Sequence, residues 1–215
     1  MYKKKPFFIV FEGVEGCGKS FQSKKLFDNL RKKKIPTILT REPGGTKSAE
    51  LIRNLILKDY FNKNTSDKFD KYTDTLLYLA ARNEHIKNKI QPALKKKNIV
   101  ICDRFTDSTL AYQVYGKKIN LNFINNIHKT ILNGLKPNLT FILKVSSSAS
   151  RKRLKKRKTK NRYDNFAQSF YTKAQKSFLK IAKNKKNYFI YDSSHNDANL
   201  EKKIFNMVCK YLKII

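Results

Sequence analysis

An apolar run that leads directly into a glycine-rich loop constrains this chain more than any other part of its sequence. Residues Phe7–Glu12 are rich in β-favouring side chains, and the loop after them has the form GxxxxGKS. In such a loop, backbone N–H groups surround phosphate oxygens, the lysine reaches the β and γ phosphates, and the serine can ligate magnesium. Segment Phe21–Lys33 supplies the helix that the motif requires. We therefore predict a nucleoside triphosphate site formed by Gly13, Val14, Glu15, Gly16, Cys17, Gly18, Lys19 and Ser20.

Length and composition indicate one soluble domain. A chain of 215 residues can bury the core of one α/β domain, so residues 1–215 are expected to form a single unit. No apolar run approaches the roughly 18 to 20 residues of a membrane helix, and the first residues lack the apolar stretch of a signal peptide. The three cysteines form no CxxC pair, which indicates reduced thiols. We expect a cytoplasmic protein with no membrane partner.

The formal net charge of +32 is the most unusual property of the composition. Taken alone, it suggests a protein that neutralises the phosphates of a nucleic acid. The lysines, however, are scattered over nearly every predicted helix instead of forming one stripe. We therefore expect no specific nucleic-acid partner, but substrate binding that weakens as salt rises, because the charge attracts anionic nucleotides.

Short apolar runs alternate with longer segments of helical periodicity. The predicted strands are Phe7–Glu12, Thr37–Thr40, Ile99–Cys102, Leu139–Val145 and Tyr188–Tyr191. The predicted helices are Phe21–Lys33, Thr46–Lys58, Tyr72–Lys89, Ser108–Tyr115, Asn120–Gly134, Ser148–Arg157, Phe166–Asn184 and Asn196–Leu212. Since every gap between strands is long enough for a right-handed crossover, we expect a three-layer α/β/α sandwich with a five-stranded parallel sheet. Ligands should bind at the carboxyl ends of its strands.

Polar side chains crowd the segments directly after the predicted strands. The segment Arg41–Gly45 follows the second strand, and Asp103 and Arg104 follow the third. Asp103 could hold magnesium directly or through water, so Ser20 and Asp103 are the predicted metal-binding residues. Arg104 would direct its guanidinium donors at phosphates from the same edge of the sheet.

A small-molecule kinase fits these features better than the other classes of phosphate-loop protein. A GTPase should carry an Asn-Lys-x-Asp motif, which is absent, and a DNA-dependent ATPase usually needs a longer chain for its coupling machinery. From Phe8 to about Asp192 the chain resembles the bacterial thymidylate kinase family. Four segments in the same order carry the resemblance: Glu12–Ser20, Thr40–Thr46, Leu79–Arg82, and Asp103–Arg104 together with Ser108–Gln113.

The resemblance implies a fold of the P-loop nucleotide hydrolase type and an ATP:dTMP phosphotransferase that yields dTDP and ADP for dTTP synthesis. ATP would be the phosphoryl donor, Mg²⁺ the metal, dTMP the acceptor and a homodimer the assembly. Packing of Tyr72–Lys89 and of Ser108–Gly134 could form the dimer, although periodicity does not distinguish such a face from core. Two alternatives stay open: a kinase for another nucleoside monophosphate, and a nucleic-acid-dependent ATPase.

The resemblance also implies a role for each residue of the acceptor site. Glu15 would accept a hydrogen bond from the 3′-hydroxyl of the deoxyribose, and Tyr78, where the family usually has Phe, would stack on thymine. Thr109 would bind the thymine edge, and Tyr112 would lie against C2′ and disfavour ribonucleotides. Arg82 would read the base, and Arg53 and Arg104 would hold the acceptor phosphate. The implied substrate-binding residues are Glu15, Arg53, Tyr78, Arg82, Arg104, Ser108, Thr109, Tyr112 and Gln113. The bond between Glu42 and Pro43 could be cis or trans.

A basic run from Arg151 to Arg162 has nine basic and no acidic residues among twelve. The variable positions of the phosphate loop contain no cation, so charge on the migrating phosphoryl group must be neutralised from elsewhere. The resemblance implies a lid at about 151–164, less tethered here because Asn161 stands where an acidic residue is common. A solvated or nucleic-acid-binding charge run is the alternative. The predicted catalytic residues are Lys19, Arg104, Arg153, Arg157 and Arg162.

No histidine is required for this chemistry. A phosphate monoester acceptor has its second pKa at about 6 and is mostly a dianion near neutral pH, so no general base is needed. We therefore expect His85, His128 and His195 to be incidental, with His128 and His195 in polar segments typical of a surface.

Overall fold

The computed structural model describes residues 5–58, 68–156, 168–195 and 197–214. Its strands form one parallel sheet in the order β2-β3-β1-β4-β5. They are β1 (Phe7–Glu12), β2 (Thr37–Arg41), β3 (Ile99–Asp103), β4 (Leu139–Lys144) and β5 (Tyr188–Asp192). The predicted five-stranded parallel sheet is therefore confirmed.

Helices cover both faces of the sheet, as the three-layer prediction requires. They are α1 (Lys19–Lys32), α2 (Lys47–Leu57), α3 (Lys71–His85), α4 (Gln91–Lys95), α5 (Thr106–Thr109), α6 (Leu121–Leu132), α7 (Ser147–Lys155), α8 (Gln168–Ala182) and α9 (Ala198–Leu212). A π-helical segment, Ile86–Ile90, joins α3 to α4, and a second one, Leu110–Gly116, continues α5.

The predicted helix Tyr72–Lys89 is too short, because the helical path continues through the first π-helical segment to Lys95. Pro92 lies at the start of α4, where its missing N–H can be accommodated. The predicted helix Ser108–Tyr115 likewise begins two residues earlier, at Thr106. Periodicity at 3.6 residues did not indicate either change of helix type, since a π-helical turn shifts the register only locally.

Alternate residues of the central strand supply the cores on the two sides of the sheet. Phe7, Ile9 and Phe11 belong to one buried cluster, and Phe8 and Val10 belong to the other. All six residues of β1 are buried. A strand buried on both faces reads as a continuous apolar run, which is why β1 was predicted with its observed bounds.

The connections at the two ends of the strands differ in their lysine content. At the amino edge, Lys5 precedes β1, and the connections 33–36, 96–98, 133–138 and 183–187 each carry exposed lysine and no Asp or Glu. Helices end at this edge, where lysine complements the negative end of the helix dipole. At the carboxyl edge, the connections 13–18, 42–46, 104–105, 145–146 and 193–197 contain no lysine. Among the described helices, none is long and apolar enough to cross a membrane.

Candidate active site

The phosphate loop leaves β1 in a conformation that only glycine adopts without strain. Gly13 and Gly16 have φ of +139° and +71°. A Cβ on Gly13 would lie 2.5 Å from the carbonyl oxygen of Leu143, and one on Gly16 would lie 2.8 Å from that of Ser150. The loop is therefore fixed against β4 and α7, and α1 begins at its end, with Lys19.

Lys19 is buried and lies over the loop. Its Nζ donates to the carbonyl oxygens of Gly13 and Val14 at 3.0 and 2.8 Å and contacts Cys17 Sγ at 3.5 Å. The side chains of Val14 and Cys17 are packed in the core, so these two residues can offer only their backbone to a ligand. The ammonium group is held by neutral oxygens.

Ser20 and Asp103 meet although they are far apart in sequence. The hydroxyl of Ser20 donates to Asp103 Oδ2 at 2.5 Å, because the first turn of α1 lies beside the end of β3. A hydroxyl and a carboxylate are oxygen donors of the kind that Mg²⁺ prefers. No group of three or more His, Cys, Asp or Glu that could hold a metal occurs among the described residues. The two oxygen donors of the pair could hold a Mg²⁺, which usually takes only one or two carboxylates from a protein.

Glu15, Arg104 and Tyr112 form a bonded triad. Arg104 Nη2 donates to Glu15 Oε1 at 2.7 Å, and the Tyr112 hydroxyl donates to Glu15 Oε2 at 2.7 Å. The Arg104 guanidinium also lies 5.3 Å from the centre of the Tyr112 ring. Although burial alone would raise it, the pKa of Glu15 is lowered, because the charges of Arg104 and Lys19 outweigh burial. Glu15 is therefore an ionised acceptor.

Glu12 fixes the segment that carries Arg104. Its Oε1 accepts from the backbone N–H groups of Phe105 and Ser108 at 2.8 and 3.2 Å, and its Oε2 is 2.6 Å from the Ser108 hydroxyl. The same hydroxyl accepts from Arg104 Nη1 at 3.0 Å. Burial, assisted by nearby Asp107, raises the pKa of Glu12. Sequence reasoning assigned no role to Glu12. The signal that identified Asp103, a carboxylate at the end of an apolar strand, also applies to Glu12 and could have identified it.

Arg82 is only 3% exposed and is bonded on several sides. Its Nε donates to Glu42 Oε2 at 2.8 Å, its Nη1 to Thr109 Oγ1 and His128 Nε2 at 2.7 and 2.8 Å, and its Nη2 to the carbonyl oxygen of Phe105 at 2.9 Å. Burial together with the charge of Arg82 lowers the pKa of His128 to about 3. His128 is therefore neutral.

The prediction that His128 lies in a surface segment is wrong, because His128 is only 8% exposed, whereas His195 is exposed as predicted. His85, for which no location was predicted, is 0% exposed. His85 lies between Thr40, 2.6 Å from its Nε2, and Glu42, 3.2 Å from its Nδ1. It thereby supports the carboxylate that binds Arg82. No local sequence pattern indicates these contacts, because the partners come from separate elements.

A cavity of about 580 Å³ at the carboxyl edge brings most of the predicted residues together. Those that line it are Glu15, Gly16, Gly18, Lys19, Ser20, Arg53, Tyr78, Arg82, Asp103, Arg104, Ser108, Thr109, Tyr112, Gln113 and Arg153. Gly13, Val14 and Cys17 do not line it. Residues that sequence reasoning had not assigned to the site also line it, namely Phe21, Arg41, Glu42, Pro43, Leu57 and Leu154.

Arg53 reaches the cavity from α2. Its Nη1 donates to the carbonyl oxygen of Pro43 at 2.5 Å, and the peptide bond between Glu42 and Pro43 is cis. Burial, followed by the neighbouring charge of Arg41, lowers the pKa of Arg53. The Glu50 carboxylate lies 2.9 Å from Arg41 Nη2 and 3.9 Å from Arg53 Nε, so it partly neutralises both guanidinium groups at this corner of the cavity.

Arg153 joins α7 to the phosphate loop. Its Nη1 donates to the carbonyl oxygen of Gly16 at 3.0 Å, and its Nη2 to those of Ser193 and Ser194 at 2.8 and 2.6 Å. Of the predicted lid at 151–164, the structure describes residues 151–156. Arg157 and Arg162 lie outside the described residues.

Comparisons with known proteins agree with this geometry. The family model described as thymidylate kinase matches residues 11–204. A thymidylate kinase of Aster yellows witches'-broom phytoplasma is 41% identical over 96% of each chain, and one of the Wolbachia of Brugia malayi is 42% identical over 82% of each. The crystal structure of a thymidylate kinase from Ehrlichia chaffeensis, 31% identical, superposes with a TM-score of 0.72 over 97% of this chain and 99% of that one. The chain therefore belongs to the thymidylate kinase family.

Proposed function

We propose that this thymidylate kinase transfers the γ-phosphoryl group of ATP to dTMP and gives dTDP and ADP. The observation that carries the proposal is one cavity that joins a phosphate loop to a second set of buried and partly buried arginines and aromatic side chains. The donor half of the cavity consists of the phosphate loop with Lys19, Ser20, Asp103 and Arg153. The acceptor half consists of Glu15, Arg53, Tyr78, Arg82, Arg104, Ser108, Thr109, Tyr112 and Gln113.

In the donor half, the residues present would bind a triphosphate and its metal. The loop N–H groups and the N-terminus of α1 bind anionic oxygens, and Lys19 leaves the carbonyl oxygens of Gly13 and Val14 to bind the β and γ phosphates. Ser20 and Asp103 would hold Mg²⁺, whose charge stabilises the phosphate oxygens. Arg153 already reaches the loop at Gly16.

In the acceptor half, ionised Glu15 would accept a hydrogen bond from a sugar 3′-hydroxyl, because both its oxygens already accept from Arg104 and Tyr112 and orient it. The Tyr112 ring, which is 5% exposed, leaves little space beside the sugar for a 2′-hydroxyl. Arg53 and Arg104 would bind the acceptor phosphate. Tyr78 would stack on the base.

Transfer needs positioning and charge neutralisation only. A phosphate oxygen of dTMP forms a bond to the γ phosphorus while the bond from that phosphorus to the bridging oxygen of ADP breaks. Arg104 lies between the halves, since it contacts both Gly13 and Glu15. Charge that develops in transfer is met by Lys19, by Arg104 and, in the proposed lid, by Arg157 and Arg162.

We place the enzyme in the cytoplasm as a homodimer. Large apolar side chains exposed on α2 and α3 support a second copy as the partner: Leu51, Leu55, Tyr72 and Leu76 are 69%, 44%, 37% and 46% exposed. Sedimentation of the full chain tests this, and a monomer at micromolar concentration contradicts it.

An ADP-release assay with a panel of acceptors tests the function. We expect dTMP to be the best acceptor among dTMP, dUMP, UMP and CMP. A preference for a ribonucleotide would contradict the role of Tyr112 and favour a kinase for another nucleotide. ATP hydrolysis that needs DNA or RNA and ignores dTMP would favour a nucleic-acid-dependent ATPase.

A further inference from the structure

The Arg82 guanidinium has one donor left for a ligand. The group has five N–H donors. Four of them bind Glu42, Thr109, His128 and the carbonyl oxygen of Phe105, at 2.7 to 2.9 Å. Within the part of the chain that the structure describes, the remaining donor is the second N–H of Nη2. Since Arg82 lines the cavity, this is the donor that a bound base can use.

Of these four partners, His128 alone belongs to α6. A guanidinium group only donates, so Nε2 of His128 must be an unprotonated acceptor and the ring proton must be on Nδ1. The ring is buried, and its lowered pKa keeps it neutral at any pH near 7. His128 is thus a fixed acceptor that reaches Arg82 from a helix with no predicted site residue of its own.

Loss of this acceptor would change what Arg82 offers to the cavity. One Nη1 hydrogen would be buried without a partner, which is costly in an interior of low dielectric constant. The guanidinium would then turn to satisfy that hydrogen, and its single free N–H would no longer have one direction. A donor without a defined direction discriminates poorly between base edges.

We propose that His128 is a positioning residue that fixes Arg82 so that a single N–H faces the cavity. It thereby sets the preference of the acceptor site for a pyrimidine with a carbonyl group at position 4. Thymine and uracil present an acceptor there, whereas cytosine presents an amino group, which would meet the Arg82 donor with another donor. This inference rests on the proposed function and extends it to a residue outside the cavity lining.

The test compares His128→Leu with His128→Gln in the full-length enzyme. Leucine keeps the volume and removes the acceptor, whereas the amide oxygen of glutamine can occupy the place of Nε2. The readout is kcat/KM for dTMP divided by kcat/KM for dCMP. We expect His128→Leu to lower this ratio about tenfold or more, mainly through the KM for dTMP, because a base-edge hydrogen bond is lost. His128→Gln should restore most of the ratio.

Asn125→Leu is the matched control, because Asn125 is exposed on the same helix. It should leave the ratio and the KM for ATP unchanged. If His128→Leu lowers both activities in proportion, the ratio stays constant, His128 is merely structural and the inference is overturned. If the unmodified enzyme phosphorylates no dTMP, the proposed function itself fails, which is a separate outcome.

A nitrogen NMR spectrum of the histidines covers the case in which His128→Leu does not fold. At pH 7 we expect the His128 ring to carry its proton on Nδ1 only, with Nε2 unprotonated and no titration near pH 6.5. A protonated Nε2, or a ring that titrates as an exposed histidine does, contradicts the contact on which the inference rests.

Discussion

The two halves of the cavity hold their cations in different ways. In the acceptor half, Arg104 and Arg82 each pair with a carboxylate, Glu15 and Glu42 respectively, and Arg53 is the exception, since its Nη1 donates to the carbonyl oxygen of Pro43. In the donor half, Lys19 and Arg153 lie against neutral carbonyl oxygens of the backbone. A carboxylate keeps its guanidinium in one geometry, whereas a carbonyl oxygen is readily replaced by a phosphate oxygen.

The difference indicates that the acceptor half is organised before substrates bind and the donor half is completed by its nucleotide. Charges already paired in the protein select a ligand by shape and hydrogen-bond direction. Cations held by carbonyl oxygens are available to whatever anion enters. Substitutions in the donor half should therefore act mainly on kcat, and those in the acceptor half on the KM for dTMP.

The largest effect is expected for Lys19→Ala. Among the described residues, Lys19 is the only lysine that lines the cavity, so its removal should abolish measurable turnover, a loss of about 10²–10³-fold or more in kcat, because the γ phosphate loses its preorganised donor. ADP release measures this. Lys24→Ala, one turn later on α1 and exposed, is the control and should retain activity. Unchanged kcat in the Lys19 variant would contradict the donor half as described.

Asp103→Asn tests the metal pair. The amide keeps the size but loses the charge, so the Mg²⁺ concentration that gives half-maximal activity should rise about 10- to 100-fold. The KM for dTMP should change far less, since Asp103 belongs to the donor half. Titration of activity with MgCl₂ gives the half-maximal Mg²⁺ concentration, and variation of dTMP at saturating Mg²⁺ gives the KM for dTMP. An unaltered Mg²⁺ requirement would exclude Asp103 from the metal site.

Glu15→Gln should act on the other half. The substitution breaks the ion pair with Arg104 and weakens the acceptor for the sugar hydroxyl, so the KM for dTMP should rise about tenfold. The KM for ATP should stay within about twofold of the original value, although Glu15 is part of the phosphate loop. Steady-state kinetics with each substrate varied in turn gives the two KM values separately. An equal rise in the KM for dTMP and the KM for ATP would contradict the division of the cavity into two halves.

The smallest effect is a pH dependence of stability in the acceptor half. The pKa of His128 is lowered from 6.5 to about 3 in the folded protein, so between these values the unfolded chain binds the proton more readily. Its contribution to stability is complete above pH 6.5 and declines as pH falls toward 3. Between pH 7 and pH 4.5, the Tm of the His128→Gln variant should therefore fall by about a few degrees less than the Tm of the unmodified protein. His195→Gln, which alters an exposed ring, should show no such difference.

The sequence predicted the sheet and the position of the phosphate loop at its carboxyl edge, because both depend on local signals. The bounds of β1 follow from an apolar run buried on both faces, and the loop follows from glycines whose positive φ other residues rarely adopt. Ser20 and Asp103 could be paired because the ends of neighbouring parallel strands meet at one edge.

The support of the acceptor half could not be predicted in the same way. Three elements together hold Arg82: Glu42 comes from the connection between β2 and α2, Thr109 from α5 and His128 from α6. No local sequence pattern relates these three residues. Helical periodicity placed His128 in a polar segment, yet the helix turns that one ring inward. The π-helical segment Leu110–Gly116 positions Tyr112 opposite Glu15. Its sequence shows the same apolar spacing as an α-helix, so periodicity did not predict it.

The lysine-bearing amino edge of the sheet has a practical consequence. Since Lys19 and several arginines line the cavity at the opposite end, positive charge lies at both ends of the strands. On a negatively charged resin the chain should therefore attach in more than one orientation, and some attached molecules should have their substrate opening covered. An immobilised preparation should consequently lose part of its turnover unless an engineered tether holds it by the amino edge.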